Sequence, residues 1–277
     1  PMVRTILAAL ACLLLSACSQ VAERGADAPR RIVSLDYCAD QYVLKFADRE
    51  DILALSPDAG KRFSYMRAAA EGIPTVRPRT ADVLALQPDL VVRTYGGGHD
   101  IADFMKEPGV PVVQIGFPQS IAEVRDEVLR VGTELGKPDE AEQLVADMDR
   151  RLKALAERSG PQREVLYMTP AGVTAGEGTL VHELFVAADL RNFQDRPGWN
   201  PLPLERLAYE RPDLIAAAFF ESKTNHVDNW SAARHPVARA QLRELPVVPL
   251  EGAWTSCGGW FLIDAVEALA EGKEGAQ

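Results

Sequence analysis

Short runs rich in Val, Ile and Leu alternate along this chain with stretches whose apolar residues recur every three or four positions. The runs Arg31 to Leu35, Asp51 to Leu55, Asp89 to Tyr95 and Pro111 to Ile115 have the length and β-branched content of buried strands. Helical spacing fills Ala39 to Ala47 and Thr80 to Leu86 between them. Ile121 to Leu135 and Pro138 to Arg158 are longer helices. Gly136, Lys137 and Pro138 part them, since glycine ends a helix and proline begins one. In the second long helix Ala141, Leu144, Val145, Met148, Leu152 and Leu155 make one apolar stripe. The pattern then restarts. Glu164 to Met168, Asp213 to Ala218 and Val247 to Leu250 predict strands, while the stretch from the Gly176–Thr179 turn through Ala188 and Phe261 to Ala270 predict helices. Strands alternating with helices predict an α/β fold with mainly parallel central sheets.

One passage occurs twice. Asp82 to Val91 and Glu205 to Ile215 each begin with an acid, run as a short helix, stop before Pro-Asp and enter a buried strand. Proline forces its predecessor out of helical geometry, which explains the stop. One copy would be an ordinary helix-to-strand turn. Two copies, either side of the long helix, predict two lobes of related architecture. The expected division is a first lobe over 31–137, a connecting helix over 138–158 and a second lobe over 159–277. At 1.5 Å per residue that helix reaches about 30 Å and serves as a rigid strut.

The N-terminal residues break the alternation. Arg4 is the one charge among the first 18, Ile6 to Leu15 is apolar, and Leu15, Ser16, Ala17 and Cys18 follow. This is the layout of a secretory signal, and the apolar core is too short for a permanent span, which needs about 20 residues. Leu-Ser-Ala-Cys closely resembles the bacterial lipobox. That likeness implies a signal peptide over 1–17, acylation of Cys18 and a polar tether over 18–30. Cys12 leaves with the signal, so Cys38 and Cys257 remain. In an oxidising compartment they are free to pair, and the sequence leaves open a disulfide, two small buried residues, or a thiol pair facing a ligand.

The chain resembles the class III periplasmic binding proteins of ABC importers. The likeness rests on Arg31 to Leu35, the two Pro-Asp-Leu motifs, the Gly136-Lys-Pro entry to the strut, Gly178-Thr-Leu with Glu183-Leu184 before Asn192, and Trp254 ahead of the last helix. It implies a monomer, lipid-anchored to a bacterial membrane in the periplasm, with a ligand cleft between lobes. The implied partners are an ABC permease and its ATPase, the ligand is cobalamin, a ferric siderophore or haem, and no resident cofactor is implied. It also implies one permease-docking carboxylate per lobe. Glu205 stands at the second-lobe position. In the first lobe Ala81 stands there and Asp82 follows, a departure from the pattern. The family's Gly-Pro-Arg before the last helix is also replaced, by Gly258-Gly-Trp260.

Ligands of open α/β sheets sit outside the carboxyl ends of strands. That rule nominates Asp36, Tyr37 and Cys38, then Tyr95 to His99, Phe117, Trp199 and Trp254 to Trp260. The ligand contacts expected from this set are Tyr37, Cys38, Tyr95, Trp199, Trp254 and Cys257, whose aromatics suit a large flat ligand. Gly96 to Gly98 is either a plain turn or a backbone cradle for an anion. A formal net charge of -10 gives no basic patch for nucleic acid. The four histidines lie apart in sequence, without His-x-x-x-His or Cys-x-x-Cys, so no bare-metal site is expected. There is no Gly-x-Ser-x-Gly elbow either. An exported hydrolase, or a sensor lipoprotein that has lost transport, are the alternatives to a binding protein.

Overall fold

The structure, a computed structural model, describes residues 30–158, 160–220 and 231–275. Cys18, the expected signal, nearly all of the tether and His226 lie outside the described residues.

The first lobe runs β1 (Ile32–Ser34), α1 (Tyr37–Phe46), β2 (Ile52–Ala54), α2 (Thr80–Ala85), β3 (Leu90–Arg93), α3 (Ile101–Lys106), β4 (Val112–Gln114) and α4 (Ile121–Glu134). Helix α5 (Pro138–Ala156) follows. Gly136 takes φ +84° at the turn between α4 and α5, a left-handed conformation that costs glycine nothing. The second lobe runs β5 (Arg163–Met168), β6 (Val173–Ala175), α6 (Leu180–Ala187), β7 (Leu190–Asn192), β8 (Trp199–Pro201), α7 (Leu204–Leu207) and β9 (Leu214–Phe220). It closes with α8 (Pro236–Glu244), β10 (Val247–Glu251), α9 (Gly252–Thr255) and α10 (Leu262–Gly275).

Both main sheets are four-stranded and parallel, with orders β2-β1-β3-β4 and β10-β9-β5-β7. Taking each lobe's own strands in chain order, the two orders are the same: second, first, third, fourth. The repeated Pro-Asp motif has the same job in each. Asp89 N donates to Arg31 O at 2.8 Å, and Arg31 N donates to Asp89 Oδ2 at 3.1 Å. Asp213 N donates to Glu164 O at 2.8 Å, and Glu164 N donates to Asp213 Oδ2 at 2.7 Å. Each aspartate therefore clasps the entrance of its lobe's first strand to that of its third.

Several elements had no sequence expectation: α3, β7, α8, α9 and the antiparallel β6–β8 pair. Of these strands, β7 and β8 lack the β-branched residues that mark β1, β2 and β4. Among the described residues no helix is long and apolar enough to cross a membrane.

The lobes share a seam. One apolar cluster runs from α1 through α4 and α5 to α6 and α10. Trp260, from the second lobe, packs edge-on to Tyr42 of the first at 5.5 Å between ring centroids. Tyr42 Oη donates to Gly258 O at 3.0 Å, and Tyr65 Oη donates to Asp264 Oδ2 at 2.8 Å. Arg151 of α5 bridges Asp264 and Glu267 of α10, at 2.6 Å to each. The strut is thus packed along its length rather than spanning open solvent.

Candidate functional site

The carboxyl ends of the strands in both sheets border one cleft of about 370 Å³. The first-lobe wall is organised by Asp36, which is 3% exposed. Its Oδ1 accepts from Ala39 N at 3.0 Å and caps α1. Its Oδ2 accepts from Thr94 N, Tyr95 N and Gly96 N at 2.7, 2.9 and 2.8 Å. Gly96, the first glycine of the glycine-rich turn, thus joins Thr94 and Tyr95 in holding this chain's own carboxylate. Glycine at 96 is required by close approach, since a Cβ there would lie 2.3 Å from Leu35 O. The clamp sets Tyr37 beside Tyr95, with ring centroids 6.1 Å apart. Tyr37 Oη donates to Ser256 O across the lobes at 3.3 Å.

Cys38 and Cys257 form a disulfide that joins the lobes in the cleft wall, with Cα atoms 5.5 Å apart. This decides among the alternatives left by the sequence. The sulfurs are bonded to each other, so no thiolate is left to hold a metal. The second-lobe wall comprises Tyr167 at the end of β5, Trp199 of β8 and the first turns of α6 at Leu180, Val181 and Leu184. Tyr167 is buried with its ring 6.1 Å from that of Trp199. Phe117 from one lobe and Trp199 from the other are 67% and 58% exposed at the mouth, unusual for large aromatics and suited to contact with a guest.

Among the described residues no Asp, Glu, Lys, Arg or His lines this cleft. Its ionisable groups are tyrosines held neutral. Burial, then the nearby Asp36 and Asp58, pushes Tyr37 above the ordinary phenol value. Tyr95 is pushed up by burial and then by Tyr37 and Asp36. Burial alone pushes Tyr167 up to about 12.

The cleft thus gathers Tyr37, Cys38, Tyr95, Trp199 and Cys257 from the expected set, together with Phe117. Trp254 is not in the lining. It sits in α9, half-buried and packed against the apolar core. Trp260 is a core residue, and His99 is exposed outside the lining. Among the described residues no three His, Cys, Asp or Glu side chains converge to hold a metal ion. Tyr167 had no sequence nomination, though it lies one residue from the end of a predicted strand and the rule that found Tyr95 covers it. Leu180, Val181 and Leu184 carry no local signal, since their spacing marks a helix face and not what it faces.

Helix α2 follows the Leu55–Thr75 bridge just past β2, and α7 follows β8, whose Trp199 lines the cleft. Glu205 and Ala81 are exposed, while Asp82 is half-buried.

Residues 63–228 match the sequence model of the family described as periplasmic binding protein. An uncharacterised ABC transporter substrate-binding lipoprotein of Bacillus subtilis, YvrC, is 25% identical over 203 residues, covering 68% of this chain and 63% of that protein. The chain therefore spans less than two thirds of that relative's length. The periplasmic haem-binding protein RhuT of Roseiflexus has a TM-score of 0.68 at 22% identity, covering 90% of this chain and 100% of its own. The periplasmic vitamin B12 binding protein BtuF of Vibrio cholerae has a TM-score of 0.64 at 19% identity, covering 90% and 98%. At these identities the structural likeness is one of fold.

Proposed function

This chain belongs to the periplasmic binding protein family, and from that premise we propose that it is the solute-binding component of an ABC importer for a large, flat ligand, a corrinoid before a ferric chelate. The observation that carries the ligand class is the aromatic cleft, lined among the described residues by no charged side chain. Haem and most ferric siderophores bring carboxylates or other anionic groups, which ask for Arg or Lys in the lining. Tyrosinate is a known haem ligand. The raised Tyr37 and Tyr95 disfavour it at neutral pH. Cobalamin presents mostly amide side chains around an apolar-faced ring, which tyrosine hydroxyls, Gln119 and backbone groups suit. The solved relatives named for haem and vitamin B12 make both ligands fair comparators.

In this reading residues 31–137 and 159–277 act as the two lobes, Cys18 carries the lipid, and Glu205 with Asp82 faces the permease. The interlobe disulfide accords with an oxidising, periplasmic compartment.

The test is a panel of cyanocobalamin, hemin and a ferric siderophore, each followed by gel filtration and visible spectroscopy. The expected result is a retained, chemically unchanged cyanocobalamin band and weaker retention of the two anionic chelates. Trp199→Ala should weaken cyanocobalamin by roughly tenfold or more, the cost of one aromatic anchor. Retention of hemin alone would overturn the corrinoid assignment. Conversion of any of the three would overturn the carrier.

A further inference from the structure

The exposed ring on the first-lobe side of the cleft mouth stands on a segment that is gripped at both ends. Phe117 and Pro118 lie between β4 and α4. Gly116 N donates to Glu127 Oε1 at 2.6 Å, and Gln119 N donates to Glu123 Oε2 at 2.7 Å. Gln119 Nε2 donates to Phe117 O at 3.0 Å. Glu127 is itself held by Arg130 at 2.6 Å, and Arg130 Nη2 donates to Gln114 O at 2.7 Å. Side chains of α4 thus fix the backbone on either side of Phe117 and Pro118, and the proline ring fixes one backbone angle between them.

Pro118 in turn abuts the other lobe. A Cβ on Gly258 would lie 2.3 Å from Pro118 Cγ and 2.9 Å from Pro118 Cδ, so glycine is required there by close approach. Gly258 has no room to retreat. Its carbonyl accepts from Tyr42 Oη at 3.0 Å, and Tyr42 is fully buried. The residue before it is Cys257, bonded to Cys38, and Ser256 O accepts from Tyr37 Oη. A side chain at position 258 must therefore displace the Pro118 segment, and Phe117 with it. Fold stability does not explain so firm a hold, because Phe117 is largely exposed and buries little. Holding the ring still does remove the ordering cost that a guest would otherwise meet on contact.

We propose that Phe117 is a preset ligand anchor, and that Gly258 and Pro118 are the positioning residues that fix its place at the cleft mouth. The cleft then selects a ligand that offers an apolar face at that place. This rests on the carrier reading, since an anchor needs a cargo, but not on a corrinoid over another flat ligand.

The test is a double-mutant cycle on the full chain with cyanocobalamin as the probe, or hemin if hemin alone is retained. Phe117→Ala should weaken binding about tenfold, the usual cost of an aromatic anchor. Gly258→Ala should weaken it by a similar factor. Because Gly258 acts through Phe117, the double variant should bind no more weakly than Phe117→Ala alone. Adding Pro118→Ala to Gly258→Ala should recover most of the loss, since the Cβ that alanine keeps lies 3.7 Å from the new methyl group. A para-fluorophenylalanine at position 117 reports without ligand. Its fluorine resonance should shift in Gly258→Ala and return when Pro118→Ala is added. If Gly258→Ala does not fold, Glu123→Ala runs the same cycle from the exposed surface of α4, with a severalfold loss that vanishes in the Phe117→Ala background. Unchanged binding in Gly258→Ala, or losses that multiply in the double variant, would show that Gly258 does not act through Phe117 and would overturn the inference. If the wild type retains neither probe while the fluorine resonance behaves as expected, the carrier reading fails and takes the anchor with it.

Discussion

Two aspartates one helical turn apart on α1 serve different ends. Asp36 is held by four backbone N–H groups and fixes the first-lobe wall of the cleft. Asp40 is fully buried and ties α1 to the loop after β2, accepting from Ser56 N at 3.0 Å and Ser56 Oγ at 2.6 Å. Burial pushes its carboxyl up to about 6, against the hydrogen bonds that favour the charge. Below about pH 4 the side chain is protonated in both folded and unfolded chains, and its contribution to stability is fully present. As pH rises through about 6 the unfolded chain has already released its proton, and that contribution is lost. Relative to the wild type, Asp40→Asn should therefore gain on the order of 2–3 kcal/mol between pH 4 and 7. Urea unfolding of both proteins across that range measures it, and a constant difference would acquit Asp40. Position at a strand end made Asp36 visible in the sequence. Its partners were not, because three of them lie about 60 residues away in the chain.

At the level of elements, the Pro-Asp clasp shows why one short phrase is used twice. Proline ends the helix, and the aspartate then closes a two-way hydrogen bond onto the first strand of its own sheet. Asp89→Ala and Asp213→Ala should each cost about 1 kcal/mol, the usual net worth of a partly solvated hydrogen bond. The clasps share no partner, so the double variant should show the sum to within about 0.5 kcal/mol. Denaturant unfolding checks this, and a coupling larger than that would mean the clasps communicate through the seam. The repeat was legible because it is local. That both clasps bind the same pair of strand positions was not, since strand order is a tertiary property.

For the molecule as a whole, the seam matters more than the strut. A shared apolar cluster, the Arg151 bridges and the disulfide all tie one lobe to the other. The cysteines are 219 residues apart, for which the chain-entropy account gives about 5 kcal/mol as an upper figure. Cys38→Ser with Cys257→Ser should lower stability by about 2–5 kcal/mol. Scattering should show little change in radius when the wild type takes up ligand, and more in the double variant. A large change in the wild type would show that the seam does not restrain the cleft.

Sequence by itself determined the alternation of strands and helices, the repeated Pro-Asp phrase, the strut and the family. Each of these is written in nearest-neighbour chemistry: side-chain period, glycine and proline placement, and helix stops. It also nominated Tyr37 and Tyr95 for the cleft, because the ends of β1 and β3 can be read locally. Tertiary structure alone decided that Cys38 meets Cys257, that Asp36 accepts from Thr94, Tyr95 and Gly96, and that Trp254 packs on the core. It alone brought Tyr167 and the first turns of α6 to the opposite wall. These depend on which surfaces two packed lobes present to each other, and no run of adjacent residues encodes that.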